Sequence, residues 1–106
     1  MPNVFKNETA RNVSTATTIY TVPASTTSVC VGFTIANVDA SATINVTALV
    51  TASALEYNIV KDTPILKGAS LQLISGEKLV LQTGELIEVS STGGNCDVIL
   101  SFMEIT

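Results

Sequence analysis

Between residues 28 and 50 the chain reads SVCVGFTIANVDASATINVTALV, an apolar alternation that holds on both sides of one polar interruption. Val29, Val31, Phe33 and Ile35 share one phase before it, and Ile44, Val46, Ala48 and Val50 share one phase after it. Only a pleated chain throws every second side chain to the same side, so this stretch is two half-buried strands and not a helix. Asn37, Asp39 and Ser41 stand where the rhythm stops, and such residues accept turn conformations that β-branched ones resist. The pattern predicts an antiparallel hairpin closed by a tight turn.

The flanking sequence continues in the same manner. Residues 17–22, TTIYTV, make a β-rich run that ends at Pro23 and a turn-prone segment. Leu55, Tyr57 and Ile59 alternate inward along a third long strand at 55–61, which Asp62, Thr63 and Pro64 interrupt. Shorter strands follow at 70–74, 78–82 and 85–90, with turns at Ser75-Gly76, Thr83-Gly84 and 92–95, and the last strand spans 96–105. Turns spaced by about eight to twelve residues belong to a sandwich or barrel rather than to β-α-β units. No stretch keeps a capped i, i+3, i+4, i+7 stripe beyond one turn. The expected fold is therefore all-β, an antiparallel β-sandwich of about eight strands over residues 17–106. Residues 1–16, rich in Asn, Ser and Thr and without periodicity, are expected to be an extended N-terminal arm, ordered where a neighbour holds it. Val4 and Phe5 are the arm's candidate docking foot.

A chain of 106 residues is one domain that can bury roughly 65% of its unfolded surface. Its charged fraction is 13%, about half the ~25% of an ordinary soluble domain. Something besides water is expected to cover part of that surface. No residue between Asn12 and Val38 is charged, but Ser, Thr, Asn and Pro break every apolar run well before the ~18 residues of a membrane helix. No membrane partner is expected. The first residues lack the basic-then-apolar order of a secretory signal, which points to synthesis in a cytoplasm. The net charge is −4, and Lys6, Arg11, Lys61, Lys67 and Lys78 are scattered. Direct nucleic-acid binding, which requires a clustered cationic face, is not expected.

Two surfaces stand out as candidate interfaces. In the last strand Val98, Leu100 and Phe102 point one way while Ile99, Met103 and Ile105 point the other, so both faces are apolar. A strand wet on one side does not look like this. Either it is covered on both faces within one subunit, or its second face meets another subunit; a small sandwich has a single core, which favours the second. The outward positions of the hairpin, Cys30, Gly32 and Thr34 and then Thr43, Asn45, Thr47 and Leu49, carry no charge, whereas soluble domains defend such faces with Lys or Glu.

Chemistry finds little footing. The chain has no His, the commonest general base, and Glu85 and Glu88, three apart in a strand, project to opposite faces. Cys30 and Cys96 cannot bind a metal without further ligands. They read as small apolar residues, with a disulfide between neighbouring strands as the alternative. Tyr20 and Tyr57, on which a sugar could stack, fit as core or strand residues. The expectation is a non-enzyme without cofactor or metal.

Taken in order, YTVPA at 20–24, the apolar strand ending in Asn37, YNIVKDTPI at 57–65, LISGEKLVLQTG at 73–84, GELIEVSS at 84–91 and DVILSFMEI at 97–105 resemble small virion proteins of tailed bacteriophages. The resemblance covers residues 17–106. It implies a jelly-roll-like sandwich located in the virion and made in the host cytoplasm. It further implies a capsid decoration (cement) role or a tail- or fibre-associated binding module, commonly as a homotrimer on the major capsid protein or other virion proteins. It brings no catalytic residues.

Overall fold

The strictly alternating residues do form strands, but those strands belong to two sheets. The computed structural model describes residues 3–39, 41–74 and 78–106. Its strands are β1 (Asn3–Val13), β2 (Thr17–Thr21), β3 (Thr27–Asn37), β4 (Ile44–Ala52), β5 (Leu55–Ile65), β6 (Ser70–Ile74), β7 (Leu79–Leu81), β8 (Leu86–Thr92) and β9 (Cys96–Ile105). One sheet has the order β1-β9-β3-β6 with β7 also on β3, and the other has the order β2-β8-β4-β5. All pairings are antiparallel. With β6 and β7 counted as halves of one interrupted strand, first pairs with last, second with second-last, and so inward to β4 with β5. That nesting is a jelly roll, a long hairpin rolled into two facing sheets. The turn expected at Ser75-Gly76 lies outside the described residues.

The hairpin expected at residues 28–50 is not formed. β3 pairs with β9, β6 and β7, while β4 pairs with β5 and β8, and the segment between them crosses from one sheet to the other. Asn37 fixes the crossing: its Nδ2 donates to the carbonyls of Ala42 and Ile65, both at 2.9 Å, and its Oδ1 accepts from the Asp39 amide at 2.8 Å. Asp39 in turn accepts from the Ser41 and Ala42 amides, which hold its carboxyl below the usual range. A Cβ at Gly94 would collide with the Asp39 side chain, so the neighbouring β8–β9 loop needs glycine there.

The core lies between the sheets. Phe33 and Ile35 of β3, Ile44, Val46 and Ala48 of β4, Ile87 and Val89 of β8, and Val98, Leu100 and Phe102 of β9 are all buried. Each large side chain among them contributes about 1.5–3 kcal/mol relative to exposure. The phase expected for the first half of β3 is inverted. Cys30 pairs with Phe102 and Gly32 with Ser101, leaving Val31 without a partner. This β-bulge turns Ser28 and Cys30 inward and Val31 out into solvent, and then restores the expected phase at Phe33.

Three further expectations change. The eleven residues of β1 lie along β9 from Asn3↔Ile105 to Ala10↔Val98, so the neighbour that holds the expected arm is the chain's own last strand. β5 runs through Asp62–Pro64 without ending. Asp62 takes a left-handed conformation (φ 49°) at a bulge and its amide donates to Thr47 Oγ1 at 3.0 Å; Pro64 needs no ladder donor on an edge strand. Leu55 and Tyr57 are not inward: at 60% and 56% exposed they occupy the outer end of an edge strand, where their phase finds nothing to pack against.

Candidate assembly face

The outer face of the β1-β9-β3 sheet is built by register. Phe5 pairs with Met103, Met103 with Val29, and Val29 with Val80, so one apolar row crosses four strands, β1, β9, β3 and β7. Phe5 is 74% and Val80 56% exposed, while Met103 and Val29 are partly covered by their neighbours. Next to the row, Asn7, Ser101 and Gly32 form a low strip. Phe5 and Val31 rim it, making a shallow groove of about 260 Å³. Beyond it Thr9, Ile99, Thr34 and Gln72 make the next row, with Ile99 51% exposed. None of these positions carries a charge. Ile105 sits at the other end, paired with Asn3 and Thr27 and partly buried. Val4 is exposed as well but faces the opposite way from Phe5, on the inward side of β1.

The sequence-derived candidates therefore separate. Phe5, Ile99, Met103 and Ile105 share this face. Thr43, Asn45, Thr47 and Leu49 lie on the far side of the sandwich, because β3 and β4 are not a hairpin. There Leu49 pairs with Glu88 and Asn58, and Thr51 pairs with Glu56, so the second face is threonine-rich and acidic and not charge-free. Val31 and Val80 escaped notice in the sequence: the first because the bulge was not legible, the second because a three-residue strand shows no period.

Inside the same sheet one carboxylate replaces the apolar pattern. Glu104 continues the inward phase of Val98, Leu100 and Phe102 and is 7% exposed. Tyr20 donates its hydroxyl to Glu104 Oε2 at 2.6 Å, and Lys6 Nζ lies 2.8 Å from Oε1. The Lys6 ammonium and then the Tyr20 hydroxyl hold the Glu104 carboxyl below the ordinary range, against desolvation. Burial and Glu104 push the Tyr20 phenol up. Three strands, β1, β2 and β9, meet at this carboxylate. The signal was present in the sequence as the one acidic residue at an inward position of β9.

Cys30 and Cys96 are both buried free thiols. Cys30 stands near one end of β3 and Cys96 pairs with Asn37 at the other, roughly 23 Å apart by strand rise, far beyond disulfide reach. Burial pushes the Cys30 thiol up to about 11 and raises that of Cys96. Neither is available for cross-linking between subunits.

No family model and no curated protein matches the chain. Solved structures do. One is a chain from Bacillus endospore appendages, which form a family of disulfide-linked pili. Its TM-score is 0.54 at 11% identity, covering 97% of this chain and 84% of that one. Another is the nucleoplasmin-like N-terminal domain of Drosophila FKBP39, with TM-score 0.54 at 13% identity, covering 98% of this chain and 91% of that one. At these identities the likeness establishes the fold.

Proposed function

We propose that this protein is a structural subunit of a virus particle, a decoration (cement) protein of a tailed-bacteriophage capsid that acts by binding and not by chemistry. The observation that carries this reading is the apolar row Phe5, Met103, Val29 and Val80 on the outer face of the β1-β9-β3 sheet, flanked by uncharged rows up to Ile99, with Arg11 and Asp97 only at the far end of the face. Exposed apolar area of that extent, on the order of several hundred Å², marks an interaction surface. The apolar residues with their Thr, Ser and Asn flanks span a whole sheet face, the scale of the ~800 Å² per partner in a stable contact. The pilus-forming fold neighbour is an instance of a subunit of this fold that builds a polymer, and the sequence motifs resemble those of small phage virion proteins. Bound only to the assembled lattice, such a subunit stabilises it against dissociation by mass action. A trimer would repeat the contact three times, and linked contacts multiply weak affinities.

The tail-associated reading has an observation of its own. The β4–β5 hairpin carries Leu55 and Tyr57 exposed at its tip, a shape suited to insertion into a partner. Quantifying the protein in purified particles separates the two. Hundreds of copies per particle fit decoration, whereas a dozen or fewer would replace it with the tail role. Val80→Asp places a charge in the apolar row and is expected to abolish particle binding of a folded subunit.

A further inference from the structure

β1 is joined to its subunit in an unusual way. Nine of its eleven residues are exposed; Ala10 is half-buried and only Val13 is buried. What holds residues 3–10 is the ladder to β9, the Lys6–Glu104 ion pair and the packing of Ala10 at the rim of the core. All three belong equally to any second copy of the strand. The segment that follows has the features of a hinge. Arg11 and Asn12 drop out of register between Ala10↔Val98 and Val13↔Cys96, Asn12 is left-handed (φ 55°), and residues 14–16 are exposed. If β1 swings away, β9 is left with an open edge and Glu104 with a lost cation. That vacancy is selective: it accepts an extended segment that brings a cationic side chain opposite Phe102, which β1 of another copy supplies at Lys6.

We propose that β1 is an exchangeable strand, and that in the assembled protein β1 of one copy lies on β9 of the next in the register seen here, its Lys6 completing the partner's Glu104–Tyr20 network. Exchange of an identical element makes the same contacts in the closed and the swapped form, so the hinge and the concentration of subunits decide between them. Direct edge-to-edge growth at the free side of β1 is disfavoured, because Lys6 and Glu8 stand opposite Phe102 and Leu100 as inward-pointing charges on an edge strand. Exchange evades that block and makes Phe5, contributed by the partner's strand, part of the apolar row. The inference concerns how copies join and holds whichever particle they join.

The test uses two full-length variants, Asn7→Cys and Ser101→Cys, which replace residues directly opposed across β1 and β9. The two chains, one carrying a mass tag, are co-refolded at high concentration, treated with a short bis-maleimide under native conditions and separated by denaturing electrophoresis. The expected result is a covalent heterodimer whose yield rises with the protein concentration during refolding. Absence of the heterodimer, with the double variant on one chain linking only within itself, would overturn strand exchange. Particle binding is not part of the readout, so its loss leaves the result standing.

Discussion

Replacing Tyr20 with Phe removes one atom and isolates what it holds. The hydroxyl lies 2.6 Å from Glu104 Oε2, within the ~2.5–2.7 Å of hydrogen bonds to a charged oxygen. The ring contact with Phe102, centroids 4.0 Å apart and planes at 30°, survives the change. Both side chains are buried, so water cannot simply take the place of the lost donor. A hydrogen bond to a charged group contributes about 1.5–3 kcal/mol. Lys6 still neutralises the other oxygen, which puts the expected loss near 2 kcal/mol, or roughly 8–12 °C in Tm for a domain of this size. The pH dependence has a definite sign. Folded Glu104 holds its proton less tightly than the unfolded chain does, since Lys6 and Tyr20 favour its charged form. The network's contribution is therefore complete above the ordinary carboxylate range and is lost as pH falls through it. Tyr20 titrates in the opposite sense: its raised phenol keeps the network intact until the pH rises past the ordinary tyrosine range. Unfolding followed by circular dichroism should show a gap between wild type and variant that is full at pH 7 and narrows towards pH 3. A loss below about 0.5 kcal/mol, or a gap unchanged between those pH values, would refute the reasoning.

Other substitutions probe other parts of the fold. Asn37→Ala leaves the carbonyls of Ala42 and Ile65 and the Asp39 amide without their partner; unfolding in urea should show a loss of about 2–4 kcal/mol, since each orphaned buried group costs ~1–3. Ala54→Gly should stabilise by up to about 1 kcal/mol, because Ala54 and Ser53 both take positive φ in the two-residue β4–β5 turn, where glycine is at ease. A lower Tm for that variant would contradict the turn assignment. Val80→Asp, on a side chain 56% exposed, should leave the midpoint of unfolding within about 0.5 kcal/mol of wild type while removing the binding to particles measured by co-sedimentation.

Much of the fold was legible because burial imposes a period of two. β4 and β9 show it without interruption, and their buried residues Ile44, Val46, Ala48, Val98, Leu100 and Phe102 are those the pattern names. What the period cannot convey is which strands pair. β3 and β4 present inward faces to each other across the core, and their sequences look the same whether a turn joins them within one sheet or a crossing carries the chain between two. The bulge at Val31 inverted the first half of β3 because an inserted residue leaves no compositional trace when apolar residues stand on both sides of it. β1 escaped because an edge strand that buries almost nothing has no apolar period; its order comes from a backbone ladder and from Lys6, and neither is visible without β9 beside it. The candidate face was half legible for the same reason. Ile99, Met103 and Ile105 announced it from the two-faced last strand and Phe5 stood as a docking residue of the expected arm, but only the register could bring Phe5 onto the same face and add Val29 and Val80.

The claim on which the account turns is that the row from Phe5 to Val80 is covered in the working state of the protein. Hydroxyl-radical footprinting reads this directly, since Phe, Tyr and Met label readily and stand on both surfaces in question. In the assembled protein, compared with the dilute subunit, Phe5 and Met103 should lose most of their labelling. Equal labelling of both residues in the two states would contradict the account.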